Sequence, residues 1–256
     1  MDKNFEEYLD TTHRMKDLSW LSRTEALIGR EALEKLANSH VLVLGLGGVG
    51  SFAAEFIARA GVGKMTIIDG DTVDPSNRNR QLPALATNHG VAKAQIMKQR
   101  MLDINPELDL TVYEEFVIPD RVEMLIAEKP DYIVEAIDSI TPKLFLIRQA
   151  YAAKIPFVSS MGAGGKVDPT KIKIADISKT YNCKLAQHIR KKLRKHDIRE
   201  GVKVAFSTEL PDKASLLYTD GSNYKKSAYG TMSYLPAAFG GAIASVAIRE
   251  LIGKDV

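Results

Sequence analysis

The run HVLVLGLGGVG, His40 to Gly50, constrains this 256-residue chain more than any other stretch. Its apolar residues show no polar alternation, which fits a parallel strand buried on both faces. Glycines follow at positions 45, 47, 48 and 50, and Val49 to Ala60 continues with helical spacing. A strand that turns through glycines into a helix aims free backbone N–H groups at the turn, with no side chains to keep an anion away. Asp69 closes a second strand, KMTIID, nineteen residues after Gly50. A carboxylate there is placed to accept hydrogen bonds from ribose hydroxyls. The expected ligand is a nucleotide, of a kind this motif alone leaves open.

The rest of the chain alternates in the same way. LTVYEEF (110–116), YIVEAID (132–138) and IPFVSS (155–160) read as strands, and HGVAKAQIMKQRMLDI and TPKLFLIRQAYAAK as helices. Such alternation predicts an α/β fold with a doubly wound, mostly parallel, Rossmann-like sheet. After Gly165 the pattern loosens. KIKIADI and VKVAFST read as strands of a small antiparallel extension, with a basic segment between them and a last helix from about Pro236 to Leu251. One domain over 1–256 is expected: a helical arm (1–38), a nucleotide-binding core (39–165) and a substrate-side extension with the C-terminal helix (166–256).

Composition removes several classes. A 45% hydrophobic content supports a substantial core. The single cysteine, Cys183, excludes an internal disulfide and a Cys-rich zinc site. The start, MDKNF, has no signal-peptide apolar core, so a cytoplasmic protein is expected. The run GTMSYLPAAFGGAIASVAIRELIG contains Pro236, a glycine pair, Arg249 and Glu250, and reads as a buried helix rather than a membrane span. Nothing indicates membrane association. The net charge of +3 hides one concentration: Lys184–Lys203 holds eight Lys/Arg against Asp197 and Glu200. Within it a helix starting near Thr180 is expected, with Leu185, Ile189 and Leu193 as its apolar stripe and Lys184, Arg190, Lys191, Lys192, Arg194 and Lys195 around it. A charge run is usually a solvated surface, whereas an excess of one sign on a single helix suits RNA phosphates.

The stretch DGDTVDPSNRNRQ, Asp69–Gln81, discriminates between nucleotides. A dinucleotide carries a pyrophosphate that a helix N-terminus largely satisfies, and an NAD-dependent oxidoreductase has no use for so many further donors. A triphosphate brings more charge and a metal ion. Ser76, Asn77, Arg78, Asn79 and Arg80 lie just past the second strand, Lys93 opens the next helix, and Asp138 ends the fourth strand at the same crevice. A carboxylate at that place suits magnesium bridging phosphates. The set describes an ATP site with Mg2+.

The segments GLGGVGSFAAEFIARAGVGKMTIIDGDTV, SNRNRQ, GVAKAQIMKQRMLDINPE and EAIDS resemble the adenylyltransferases related to ubiquitin-activating enzymes. The later segments AGGKVDPT, DISKT, LRK and FSTE are most similar to the tRNA threonylcarbamoyladenosine dehydratases among them. The resemblance implies that Gly45, Gly47, Gly48 and Gly50 meet ATP phosphates, that Asp69 binds ribose, and that Asn77, Arg80 and Lys93 hold the triphosphate. Asp138 would position magnesium, with Asp71, Ser76 and Ser139 completing the nucleotide set. It further implies a homodimer in which an arm arginine, matched by Arg23, enters the partner's site and acts with Arg80 and Asp138. The implied substrate is tRNA carrying threonylcarbamoyladenosine, not DNA, and the implied reaction is ATP-dependent cyclisation through an acyl-adenylate. A cysteine-desulfurase or sulfur-acceptor system is a further implied companion. Activation of a ubiquitin-like sulfur carrier is the nearest alternative; relatives of that kind carry paired CxxC motifs that this chain lacks. Some dehydratases have a cysteine where this chain has NYKKSAYGTMS. A thiol intermediate is therefore not carried over, and Cys183 reads as a small, partly buried residue.

Overall fold

The structure, a computed structural model, describes residues 17–218 and 227–254. Its centre is a seven-stranded sheet of β1 (His40–Leu44), β2 (Lys64–Ile68), β3 (Asp109–Tyr113), β4 (Tyr132–Glu135), β5 (Phe157–Ser160), β6 (Ile172–Asp176) and β7 (Lys203–Ser207). The spatial order is β3-β2-β1-β4-β5-β7-β6. All neighbours are parallel except β6, which runs antiparallel to β7. Strand order therefore reverses between β1 and β4, and the crevice at their carboxyl ends is where such sheets bind ligands.

Alternation along β1 builds both cores. Val41 and Val43 face one, with α3 (Gly50–Arg59), α4 (Lys93–Ile104) and α8 (Tyr234–Leu251) supplying Ala53, Ile57, Met97, Phe239 and Ile243. Leu42 and Leu44 face the other, with α5 (Pro119–Ala127), α6 (Ile140–Ala153) and α7 (Lys184–Leu193) supplying Val122, Leu125, Leu146, Ile147, Ile189 and Leu193. Each fully buried aliphatic of this kind is worth about 1.5–3 kcal/mol as an upper estimate. The C-terminal run is a buried helix, as expected. A Cβ on Gly240 would stand 2.7 Å from the Val49 carbonyl, so α8 packs against the start of α3 at a distance only glycine allows. Among the described residues no helix is long and apolar enough to cross a membrane.

The arm contributes α1 (Ser22–Ile28) and α2 (Arg30–Ala37), and its first sixteen residues lie outside the described ones. It rides on the amino end of the sheet. The Leu21 side chain fills the place where Gly61 would carry a Cβ, the Gly63 N–H donates to the Leu36 carbonyl at 3.1 Å, and the Asp17 N–H donates to Glu107 at 2.7 Å.

Three boundaries differ from the sequence reading. The helix expected from His89 starts at Lys93, because Gly90 and Val91 exchange backbone hydrogen bonds with Val73 at 2.9 Å instead. The basic helix begins at Lys184 rather than near Thr180, since Asn182 takes a left-handed φ of 54°. The fourth strand ends at Glu135, so Asp138 lies in the turn beyond it. A two-stranded hairpin, β8 (Leu216–Tyr218) with β9 (Ser227–Tyr229), was not expected.

Candidate nucleotide site

The turn between β1 and α3 depends on two glycines. Gly45 has φ +86°, and a Cβ on it would lie 2.9 Å from the Ala136 carbonyl. A Cβ on Gly50 would lie 1.8 Å from the Gly45 carbonyl, an impossible contact. At Gly47 nothing stands within 4 Å of the missing side chain, which leaves that part of the loop open to an anion. Gly48 packs under the Arg80 backbone and Pro236, so three distant segments of sequence meet at this turn.

Asp69 follows β2 directly. One carboxylate oxygen accepts the Leu46 N–H of the glycine turn at 2.5 Å, and the other accepts the Asp71 N–H at 2.8 Å. Burial pushes the Asp69 carboxyl above its ordinary range, against the pull of the Lys93 ammonium and these two N–H groups. Asp71 in turn holds Lys93, whose Nζ donates to its carboxylate at 2.9 Å while the Lys93 backbone N–H donates to the Asp71 carbonyl at 3.1 Å. Lys93 is only 4% exposed, an ammonium stored beside the crevice rather than waving over it.

The SNRNR stretch forms a capped turn. The Asp74 carboxylate accepts the Ser76 N–H and hydroxyl at 2.8 and 2.6 Å, and the buried Asn77 returns the cap by accepting the Asp74 N–H at 3.1 Å. Arg80 donates to the Ser76 carbonyl at 3.0 Å and to the Asn79 side chain at 2.8 Å. Burial draws the Arg80 guanidinium below its ordinary range, and the Asp138 carboxylate acts in the opposite sense, so these two charges feel each other across the crevice. Asn79 donates to the Thr231 carbonyl at 3.0 Å and ties the turn to the segment before α8. Arg78 is exposed.

Asp138 is exposed in the turn after β4, and Ser139 caps α6, its carbonyl accepting the Lys143 N–H at 3.3 Å. Sequence reasoning missed what lies beneath. Glu135 and Lys143 form an ion pair with no exposed surface, joined by Ser159 of β5. Their signal was a glutamate inside an apolar strand with a lysine eight positions on. No three His, Cys, Asp or Glu side chains gather as a metal cage among the described residues. A single carboxylate facing a phosphate site suits magnesium, which keeps its waters and rides on substrate phosphates.

Two sets of expected residues lie away from the crevice. Arg23 is exposed, two residues from the Leu21 anchor at the amino end of β2. Asp69 lies at the opposite end, about 20 Å or more away for the eight residues from Gly61. On α7, Ala186, Ile189 and Leu193 are buried and Leu185 is partly so, one step round from the expected stripe. Lys184, Lys191, Lys192, Arg194 and Lys195 are exposed. Arg190 is not presented in the same way: one guanidinium nitrogen bonds the Ile177 and Thr180 carbonyls at 3.2 and 2.9 Å, clipping the preceding turn. Cys183 is buried in the second core. Part of NYKKSAYGTMS, residues 223–226, is outside the described residues.

An open concavity of about 560 Å³ at the amino end of the sheet sets Glu31, Glu34, Asp131 and Glu250 against one cation, Lys35. Its acidic lining is the wrong sign for a triphosphate. A second of about 560 Å³ borders the Arg80 turn at Ser76, Arg78 and Asn79.

The chain is 47% identical over 194 residues to the tRNA threonylcarbamoyladenosine dehydratase of Bacillus subtilis, covering 76% of each. It superimposes with a TM-score of 0.83 on the E. coli tRNA N6-threonylcarbamoyladenosine dehydratase in complex with ATP, at 38% identity, covering 92% of this chain and 94% of that one. The E. coli molybdopterin-synthase adenylyltransferase is 32% identical over 155 residues, covering 60% of this chain and 61% of that protein. The ThiF family profile matches residues 21–256, and the chain is a member of the ThiF family.

Proposed function

We propose that the protein is an ATP-dependent tRNA threonylcarbamoyladenosine dehydratase. One observation carries the reading: the bare glycine turn, Asp69, Arg80, the stored Lys93 and Asp138 gather at the carboxyl ends of the central strands. The similarity to dehydratases over 76% or more of the chain supports the substrate class.

The reaction begins when the threonylcarbamoyl carboxylate attacks the α-phosphorus of ATP. The bond to the β-phosphate oxygen breaks, and pyrophosphate leaves. A nucleophile within the same modification then attacks the acyl carbon, closes a five-membered ring and expels AMP, so one carboxylate oxygen departs on AMP and the nucleoside loses one water. No covalent bond to the protein is needed. The chain contributes position and charge. N–H groups of the glycine turn receive phosphate, Asp69 meets the ribose, and Asn77, Arg80 and Lys93 spread along the triphosphate, Lys93 leaving Asp71 as the phosphates arrive. Ser76, Asp71 and Ser139 shape the same walls. Magnesium bound with ATP would neutralise charge on the phosphates, and Asp138 is the residue that would hold it.

Two features suit larger partners. Arg23 sits at the amino end of its own sheet, the opposite end from the crevice, which favours its delivery to the site of a second copy in a homodimer. The cationic face of α7 starts beside the loop after β5, where Leu185 and Cys183 pack at Gly162, and leads away from the crevice as a track for tRNA phosphates. A sulfur-acceptor partner would not find its acceptor in Cys183, the one thiol, which is buried. The cytoplasm is the compartment proposed.

Incubation with ATP, magnesium and tRNA carrying threonylcarbamoyladenosine, followed by nucleoside mass spectrometry, tests the reading. The nucleoside should lose one water with one AMP formed per turnover. An unchanged nucleoside beside AMP transfer to a sulfur-carrier protein would replace the dehydratase reading with the carrier-activating one.

A further inference from the structure

The turn that carries Asp138 is held by a buried polar network. Glu135, Lys143 and Ser159 are 0% exposed and Ser160 is 4% exposed. One Glu135 oxygen accepts the Ile137 N–H at 2.7 Å, immediately before Asp138. The other accepts from the Lys143 ammonium and the Ser159 hydroxyl. Lys143 also donates to the Ser160 carbonyl at 2.9 Å and the Ser159 hydroxyl oxygen at 3.3 Å. All three ammonium hydrogens have acceptors, and both carboxylate oxygens are used.

Stability alone gives little reason for such a network. Burying an ion pair costs both ions their water, and apolar residues of the same size are often as stable or more so. What apolar residues do not supply is direction. This network joins the end of β4, the first turn of α6 and the end of β5, so the residues on either side of Asp138 are fixed to the neighbouring strand. A carboxylate on an unpinned turn would swing, and misplacement by about 1 Å is enough to forfeit much of a positioning effect.

We propose that Glu135 and Lys143 are positioning residues that hold Asp138 at the height the metal-bound triphosphate requires. The proposal rests on Asp138 being the metal-holding acid. It predicts that Lys143→Met weakens ATP binding about tenfold in magnesium, and less than twofold in chelator, where no metal is present for Asp138 to position. The double replacement Glu135→Gln with Lys143→Met should recover most of that loss. Its amide oxygen still accepts the Ile137 N–H, its amide NH2 donates to Ser159, and no buried charge is left unpaired.

Calorimetric ATP titrations with magnesium and with chelator, on wild type, Asp138→Asn, Lys143→Met and the combination of those two, test this together with amide hydrogen exchange at Ile137. If Asp138→Asn alone leaves the magnesium-dependent part of binding intact, the metal assignment fails, and the positioning idea falls with it. If Asp138→Asn removes that part, the two losses should overlap, with the combination no worse than Asp138→Asn alone, and Ile137 exchange should quicken in Lys143→Met. Losses that multiply, or a magnesium-independent loss, would overturn the proposal while leaving the metal assignment standing. Should Lys143→Met not fold, Ser159→Ala keeps the ion pair and removes one tether. It should show the same magnesium-dependent loss at smaller size, and wild-type behaviour in it would count against the network.

Discussion

Reversing Lys191, Lys192, Arg194 and Lys195 to glutamate separates an RNA track from a merely solvated helix. All four are exposed, while α7 is held by Ala186, Ile189 and Leu193, which the change leaves alone. Each cation that neutralises a phosphate contributes roughly −0.7 to −0.9 to the slope of log affinity against log salt, so four contribute about −3. Between about 50 and 200 mM salt that is an affinity loss of about 60-fold, which the variant should not show. The assay is tRNA binding across a salt series, with ATP binding as the control for an intact crevice. Arg190→Ala is the informative companion. Its guanidinium serves the Ile177 and Thr180 carbonyls, so its loss should cost about 1–2 kcal/mol of stability and change the slope by less than about one. A four-residue variant with the wild-type slope would refute the track, and a large slope change in Arg190→Ala would show that the clip opens to RNA.

The other predictions concern the crevice and the extension. Gly50→Ala should lower stability by more than about 2 kcal/mol and abolish ATP-dependent protection against heating, because the added carbon meets the Gly45 carbonyl at 1.8 Å; a stable variant that binds ATP normally would mean that the turn has another conformation. Arg23→Ala and Arg80→Ala should each be inactive alone and regain about a quarter to a half of wild-type activity once subunits exchange, since a mixed dimer restores one complete site; exchange without recovery would mean that Arg23 works in its own subunit or only in packing. Asp176 offers a pH test. Burial pushes its carboxyl up, but the Ser178 side chain and the N–H groups of Ser178, Gly201 and Val202 together hold it below the ordinary carboxylate range. Its contribution is therefore present above about pH 4 and lost as pH falls through the depressed folded value. The stability gap between wild type and Asp176→Ala should close on acidification, and a gap that widens would contradict the sign.

How much of this was legible in the sequence follows from what each pattern encodes. The glycine turn and the buried parallel strands were readable because backbone geometry and apolar runs are local properties. The convergence of Asp69, Arg80, Lys93 and Asp138 followed from strand order alone. Asp138 was placed at a strand end because YIVEAID looks continuous, whereas Glu135 bends its carboxylate back to the Ile137 N–H and ends the pairing. Arg190 read as surface because its neighbours are lysines; only the preceding turn, folded beneath it, gives its guanidinium carbonyls to hold. Lys93 read as free for phosphate, and its partner Asp71, 22 positions earlier, stores it. The Glu135–Lys143 pair was illegible for the same reason: charged residues carry no mark of who will face them.

The meeting of Gly48, Arg80 and Pro236 sets an order on biosynthesis. The glycine turn is among the first parts of the sheet to leave the ribosome, yet one wall against it is the start of the last helix, and Asn79 waits for the Thr231 carbonyl. A chain still in synthesis at β7 already has its central parallel strands but an unclosed nucleotide crevice, with the α3 face awaiting Phe239 and Ile243. Closure of the crevice therefore waits for the end of the chain rather than coming midway. A nascent or prematurely terminated chain would leave that crevice open on one side, and it would expose the apolar face that chaperones and proteases recognise.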